Sequence, residues 1–162
     1  GYFMESFRQS DFDEAIGYRI PFVQDNISKS KKGVLRGMHW QIIDPMDKLL
    51  SCIKGSFIDI IMDIRKDSPT FKKFVFQELS ENDSNFFLVP RGFAHAILAL
   101  EDDTIAHYKC SGEYSPEGVR ELKIPEIIKH SIDISCEIIM SDKDKNAMTV
   151  EEYLEKDPGS LF

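Results

Sequence analysis

The run Phe57-Ile58-Asp59-Ile60-Ile61-Met62-Asp63-Ile64 decides the fold class. Its even positions are all apolar, and Asp59 and Asp63 fall on the other face. That period of two belongs to a half-buried strand. Working outward, residues 48–54 read as a preceding strand, and Lys54-Gly55-Ser56 as the hairpin turn joining the two. Residues 74–79, 85–89, 94–100 and 105–110 continue the series. The turn clusters Glu81-Asn82-Asp83-Ser84 and Glu101-Asp102-Asp103 separate them. Helices are few, short and peripheral. Residues 10–16 form one, with Ser10 or Asp11 as its cap and Gly17 as its stop. Residues 126–129 form a single turn, and the capping box Thr149-Val150-Glu151-Glu152 opens a last helix through Glu155. Many short strands with regular turns predict an all-β sandwich or jelly roll closed around one pocket.

At 162 residues the chain is one domain, long enough to bury a real core. A net charge of −8 argues against a nucleic-acid surface, which requires a basic face, but leaves room for a small anion held by a few pocket cations. No apolar run approaches the roughly 20 residues that cross a bilayer, and no secretory signal pattern opens the sequence, so the expected setting is cytoplasmic, with no membrane partner. The sequence starts at Gly1 without a methionine, as if entering mid-strand, which predicts that an N-terminal strand is missing. Cys52, Cys110 and Cys136 have no disulfide or zinc-site spacing and read as reduced, largely buried thiols.

Two stretches concentrate chemistry: Gly33-Val34-Leu35-Arg36-Gly37-Met38-His39-Trp40-Gln41 and Val89-Pro90-Arg91-Gly92-Phe93-Ala94-His95. Each sets a histidine on a strand beside glycines. Their spacings, Gly-x5-His and Pro-x-Gly-x-x-His, resemble the positions from which cupin jelly rolls supply metal-binding histidines. A metal-binding cupin would carry a second histidine two residues after His39 and a glutamate soon after. Here Gln41 takes the first place and the next acid is Asp44, so the expected site holds no metal. The histidines then become acid–base groups, hydrogen-bond donors or buried structural residues. His107 and Tyr108 point to opposite faces by alternation, so if Tyr108 faces the pocket His107 does not. His130 is expected to be exposed.

Further blocks extend the resemblance. Gly1-Tyr2-Phe3-Met4-Glu5-Ser6-Phe7, Phe22-Val23-Gln24-Asp25-Asn26, residues 33–41, Asp63-Ile64-Arg65-Lys66-Asp67-Ser68-Pro69-Thr70-Phe71, residues 90–95, Tyr108-Lys109, Tyr114-Ser115-Pro116 and Ser141-Asp142-Lys143-Asp144 occur in order along nearly the whole chain. Together they resemble the dTDP-4-dehydrorhamnose 3,5-epimerase family of nucleotide-sugar epimerases. The resemblance implies a cupin-type jelly roll, a homodimer, no cofactor, and a nucleoside diphosphate joined to a 4-keto-6-deoxy sugar as substrate. Position by position it implies His39 as base, Asp144 as its carboxylate partner, Tyr108 as the acid on the opposite face and Lys48 near the ketone oxygen. It also implies Glu5, Gln24, Asp25, Asn26, Arg36, His95 and Lys143 as substrate-binding residues, with Tyr114 stacking on the nucleobase. Glu113 stands where many relatives have a second tyrosine, and Trp40 where they have tyrosine, which puts the nucleotide end outside the usual pattern.

The chemistry asks for these residue types on its own terms. A hydrogen beside a carbonyl becomes removable only if the forming enolate oxygen meets a cation or donor. Histidine titrates near neutrality, and a carboxylate on its second nitrogen fixes its tautomer. Inversion then needs a donor on the far face, and a tyrosine hydroxyl stays protonated at pH 7. Within the same fold, a 3,4-ketoisomerase of the same substrate class or a non-catalytic nucleotide-sugar-binding cupin remains open. On composition alone, Asp144 reads as part of a solvated Lys/Asp-rich turn.

Overall fold

A computed structural model describes residues 1–125 and 137–162. Among these residues the strands are β1 (Gln24–Ser30), β2 (Leu35–Gln41), β3 (Lys48–Lys54), β4 (Ser56–Asp63), β5 (Phe74–Ser80), β6 (Phe87–Val89), β7 (Phe93–Ala99), β8 (Thr104–Cys110) and β9 (Val119–Glu121). They form two antiparallel sheets, one ordered β1-β8-β3-β6 and the other β5-β4-β7-β2-β9. This is the all-β jelly roll expected. Among the described residues, three α-helices lie at the periphery: α1 (Gln9–Ile16), α2 (Asp142–Lys145) and α3 (Val150–Lys156). Alternation and turn chemistry place most strands within a residue or two of their expected bounds. The strand expected over residues 85–89 shortens to β6. The turn expected over 126–129, His130 and Cys136 lie outside the described residues.

Three expectations need correction. Lys54-Gly55-Ser56 does not close a hairpin. β3 pairs with β6 and β8, whereas β4 pairs with β5 and β7, so the chain crosses from one sheet to the other there. Gly55 takes φ +71° at this corner, and an added Cβ would meet Thr104 Oγ1 at 2.8 Å. Nor is β4 half-buried: Asp59 and Asp63 are almost fully enclosed. Its even residues join Met38, Trp40, Ala94 and Leu98 in a core sealed by Tyr153 and Val150 of α3. Its odd residues Phe57 and Ile61 face the opposite sheet with Leu50, Val89 and Ala106. Asp59 therefore points into the space between the sheets, not to solvent. Finally, α1 begins one residue early after Arg8, which makes no side-chain cap, and Ser10 bonds Asp11 instead. Gly17 stops the helix as expected, in the left-handed conformation with its N–H on Asp13 O.

The feature that builds the site is an irregularity in β2. Arg36 pairs with Ile97 and Gly37 with Ala96, but His39 pairs with His95, which leaves Met38 unmatched on β7. One extra residue shifts the alternation. Arg36 and His39, three apart, consequently both face the inter-sheet space, while Met38 and Trp40 face the α3 side. Trp40 is fixed there by an Nε1–H bond to Ser160 O (2.8 Å) and an edge contact with Tyr153. Gly37 permits the kink. Its φ is +115°, and a Cβ would lie 2.5 Å from His95 O. A Gly37→Ala substitution is expected to destabilise the fold by about 2–4 kcal/mol, from combined overpacking and backbone strain, as read by urea unfolding.

Candidate active site

A cavity of about 590 Å³ opens between the sheets, lined by Arg36, His39, Lys48, His95, Tyr108 and Asp144 among others. It joins a second lobe of about 360 Å³ that shares His39, Lys48, Tyr108 and Tyr114 and adds Gln24, Asn26, Met46 and Cys110. The five-stranded sheet contributes His39 from β2 and His95 from β7. The four-stranded sheet contributes Lys48 from β3 and Tyr108 from β8. The imidazole of His39 and the phenol of Tyr108 are thus delivered by opposing walls of one space.

His39 Nε2 lies 2.6 Å from Asp144 Oδ1. Asp144 reaches it because residues 137–142 run back beside the start of β2. Leu35 N donates to Ile139 O and Ile139 N to Gly33 O, each at 2.9 Å. The polar run that composition assigned to solvent is a helical turn, α2. Asp142, Lys143 and Lys145 are exposed on it and Asp144 alone is turned inward. Ser141 caps the turn, accepting from Asp144 N (3.1 Å) and donating to Asp144 Oδ2 (2.9 Å). Burial alone would raise the Asp144 pKa. The His39 ring, the Ser141 hydroxyl and the backbone N–H of Gly37 outweigh it and hold the carboxylate below its ordinary value. The ionised carboxylate calls for an Nε2–H donor, which leaves the Nδ1 lone pair of His39 free to take a proton.

A second chain of contacts lies alongside. Lys48 Nζ is 2.8 Å from His95 Nε2, and His95 Nδ1 is 3.0 Å from Asp59 Oδ1. Burial first, then the neighbouring Lys48 charge, lowers the His95 pKa against the pull of Asp59. A neutral ring fits both contacts, with Nδ1–H donating to Asp59 and Nε2 accepting from Lys48. Lys48 keeps some solvent contact through the cavity, but its ammonium sits among protein atoms, and that desolvation lowers its pKa despite Cys110 and Asp59. For Tyr108, burial raises the pKa, so its hydroxyl keeps its proton at neutral pH. The cavity therefore brings together an imidazole, a phenolic donor from the opposing sheet and a partly desolvated cation.

The remaining expected site residues divide. Gln24 and Asn26 face the second lobe through the alternation of β1, and Arg36, Tyr114 and Lys143 line the main cavity. Arg36 is steadied by Ser30 Oγ (3.1 Å) and Lys29 O (3.3 Å), and Lys143 pairs with Glu121. Asp25 and Glu5 are not brought in. Asp25 alternates to the outer face of β1, where it meets Lys109 (2.7 Å) and His107 (3.1 Å). His107 points away from Tyr108, as expected. Glu5 is exposed ahead of α1, paired with Arg8 at 2.7 Å. Asp59, which holds His95, was missed as a site residue, although the same period of two marked it.

Gln41, at the position of a would-be metal histidine, turns to the loop after β8. Its Nε2 donates to Asp44 O and Glu113 O, and its Oε1 accepts from Ser115 N, all at 2.9 Å. Tyr114 N adds a bond to Gln24 Oε1 at 2.8 Å. These contacts set Tyr114 at the junction of the two lobes. Among the described residues, no three His, Cys, Asp or Glu side chains gather as a metal-binding set.

Comparison with known proteins identifies the family and fold. The sequence profile of a family described as dTDP-4-dehydrorhamnose 3,5-epimerase matches residues 1–152. A protein of that name from Methanothermobacter thermautotrophicus is 40% identical over 155 residues, covering 94% of this chain and 83% of its own. The one from Shigella flexneri is 43% identical, covering 90% and 81%. Among solved structures, a dTDP-6-deoxy-D-glucose-3,5-epimerase from Legionella pneumophila, in complex with dTDP-4-keto-L-rhamnose, superposes with a TM-score of 0.89. It is 36% identical and the match covers 99% of this chain and 85% of that one. A 3'-monoepimerase from Streptomyces bikiniensis, bound to dTDP-quinovose, is 30% identical with a TM-score of 0.87, covering 97% and 79%.

Proposed function

The chain belongs to the dTDP-4-dehydrorhamnose 3,5-epimerase family, and on that premise we propose that it is a cofactor-independent epimerase of a nucleoside-diphosphate 4-keto-6-deoxy sugar, inverting C3, C5 or both. The observation that carries this reading is the delivery of His39 and Tyr108 to one cavity from opposite sheets. In the proposed reaction His39 takes the proton beside the ketone, and the C–H electron pair moves into an enolate whose oxygen Lys48 stabilises. Asp144 holds the imidazolium that results. Tyr108 then returns a proton to the carbon from the far side, and solvent restores both groups. Arg36, with its forked donors, suits the diphosphate. Tyr114 offers a ring at the mouth of the second lobe, where Gln24 and Asn26 present amides to a nucleobase. A cytoplasmic setting fits a nucleotide-sugar substrate, and no described helix is long and apolar enough to cross a membrane.

Proton NMR in heavy water, with dTDP-4-keto-6-deoxyglucose as substrate, tests the two roles separately. His39→Asn is expected to slow deuterium uptake beside the ketone by at least about 10²-fold, the span of one positioned acid–base group. Tyr108→Phe is expected to retain uptake but lose inversion by a similar factor of about 10². Persistent exchange in the His39 variant rules it out as the base. A carbonyl appearing at C3 assigns the protein as a ketoisomerase, and binding with no exchange in the unaltered chain assigns it as a binding cupin.

The pKa directions also fix a pH dependence. The Lys48 cation is lost as pH rises through a pKa below its ordinary value, whereas Tyr108 loses its proton only above its own. The alkaline limb of kcat/KM is therefore expected to fall below the normal lysine range of about 10.4 and to be set by Lys48. A Lys48→Met variant should be slower and lack that limb; a limb unchanged in Lys48→Met would show that another group sets it.

The working form proposed is a homodimer. Tyr2 and Phe3 are 88% and 98% exposed, an apolar end that a second copy would cover. Sedimentation equilibrium is expected to return twice the chain mass of 18.6 kDa, and a monomer mass at micromolar concentration contradicts it.

A further inference from the structure

Lys48, assigned to enolate stabilisation, opens β3; Tyr108, assigned to reprotonation, lies on β8; and His95, which contacts Lys48, lies on β7. The backbone beside each of them converges on one buried carboxylate that the reaction does not use. Asp47 immediately precedes Lys48. Its Oδ1 accepts from the backbone N–H of Arg91 at 3.0 Å, and its Oδ2 accepts from Arg91 Nη2 (2.7 Å) and Nε (3.2 Å). Ser111 Oγ also donates to Oδ2, at 3.0 Å. The main chain doubles the tie, because Asp47 N donates to Ser111 Oγ (2.8 Å) and Ser111 N to Asp47 O (3.0 Å). Arg91 sits in the turn that leads into His95, and Ser111 directly follows the strand that carries Tyr108. Neither Asp47, Arg91 nor Ser111 lines the main cavity.

We propose that Asp47 and Arg91 are positioning residues, a clamp that sets the ammonium of Lys48 relative to His95 and Tyr108. The proposal rests on the epimerase reading above. A carboxylate bound by two guanidinium nitrogens and a backbone N–H has little angular freedom, so the three strand ends move together or not at all. Misplacing a reacting group by about 1 Å costs about 10²-fold in rate, and loosening any of the three ends displaces Lys48 along its own strand. Arg91 is half-exposed, so its loss opens the carboxylate to water without leaving a cavity in the core. That separates positioning from folding.

The test compares Arg91→Met and Arg91→Lys with the unaltered chain by kcat, KM and thermal midpoint. The rate of acylation of Lys48 by a small amine-reactive ester, followed by mass spectrometry, adds a readout that needs no substrate. Arg91→Met is expected to lower kcat by about 10- to 100-fold with KM changed by less than about threefold, and to speed Lys48 acylation. Arg91→Lys, which keeps the charge but loses the fork, is expected to restore part of both. A lowered thermal midpoint with unchanged kcat and unchanged acylation overturns the clamp, as does a change confined to KM. Should Arg91→Met fail to fold, Ser111→Ala removes only the hydroxyl tie and is judged by the same two readouts. Absence of deuterium exchange in the unaltered chain defeats the epimerase reading instead, and the acylation rates still decide whether the clamp holds Lys48.

Discussion

The site depends on the close approach of β2 to β7 at Gly37. Strict alternation along β2 would send Arg36 and His39 to opposite sides of the sheet. The unmatched Met38 reverses the phase halfway, so the strand serves two environments in seven residues. Ahead of the irregularity Leu35 joins the core under α3, and after it Trp40 does, while Arg36 and His39 both face the cavity. Only a residue without a side chain fits where Gly37 passes His95 O. The orientation of His39, that of Arg36 and the packing of the C-terminal helix all follow from that contact.

Around it, two charge chains divide the electrostatic labour. Asp144 and His39 form one, held from outside the barrel by a short helical turn. Asp59, His95 and Lys48 form the other, wholly within it. Each ends in a group aimed at the cavity and begins in a carboxylate with little or no solvent contact. Burial pulls the ammonium of Lys48 and the imidazole of His95 toward their neutral forms, and the Asp59 carboxylate opposes it. Chemistry at a ketone needs that balance, since a cation too strongly solvated gives little stabilisation to a developing enolate.

Much of this was legible in the sequence, for identifiable reasons. Strand bounds such as those of β3 follow from alternation and flanking turns, and the capping box at Thr149 opens α3 as written, with Glu152 reaching back. The pairing of strands was not legible, because a glycine turn between two strands looks alike whether it closes a hairpin or turns a corner between sheets, as Gly55 does. The period of two held more information than its first use extracted. It separates Gln24 and Asn26 from Asp25, and it marks Asp59 as facing the opposite wall. Asp144 could be assigned only by family resemblance, because its inward turn depends on residues 137–142 lying against β2, a contact that no local pattern encodes. Glu5 shows the converse: a matching motif does not carry the segment to the cavity of its own chain.

Because His39 and Tyr108 ride on separate sheets, the gap between them is set by the apolar layer those sheets share. Leu50, Phe57, Ile61, Val89 and Ile97 fill that layer, and protein interiors, packed as closely as organic crystals, transmit a change of one methylene rather than absorbing it. A substitution there, remote from every polar group named above, alters the distance a flattened ring must span from imidazole to phenol. On the proposed reaction, stereochemical outcome in such a barrel is governed in part by grease, and can drift while His39 and Tyr108 stay as they are.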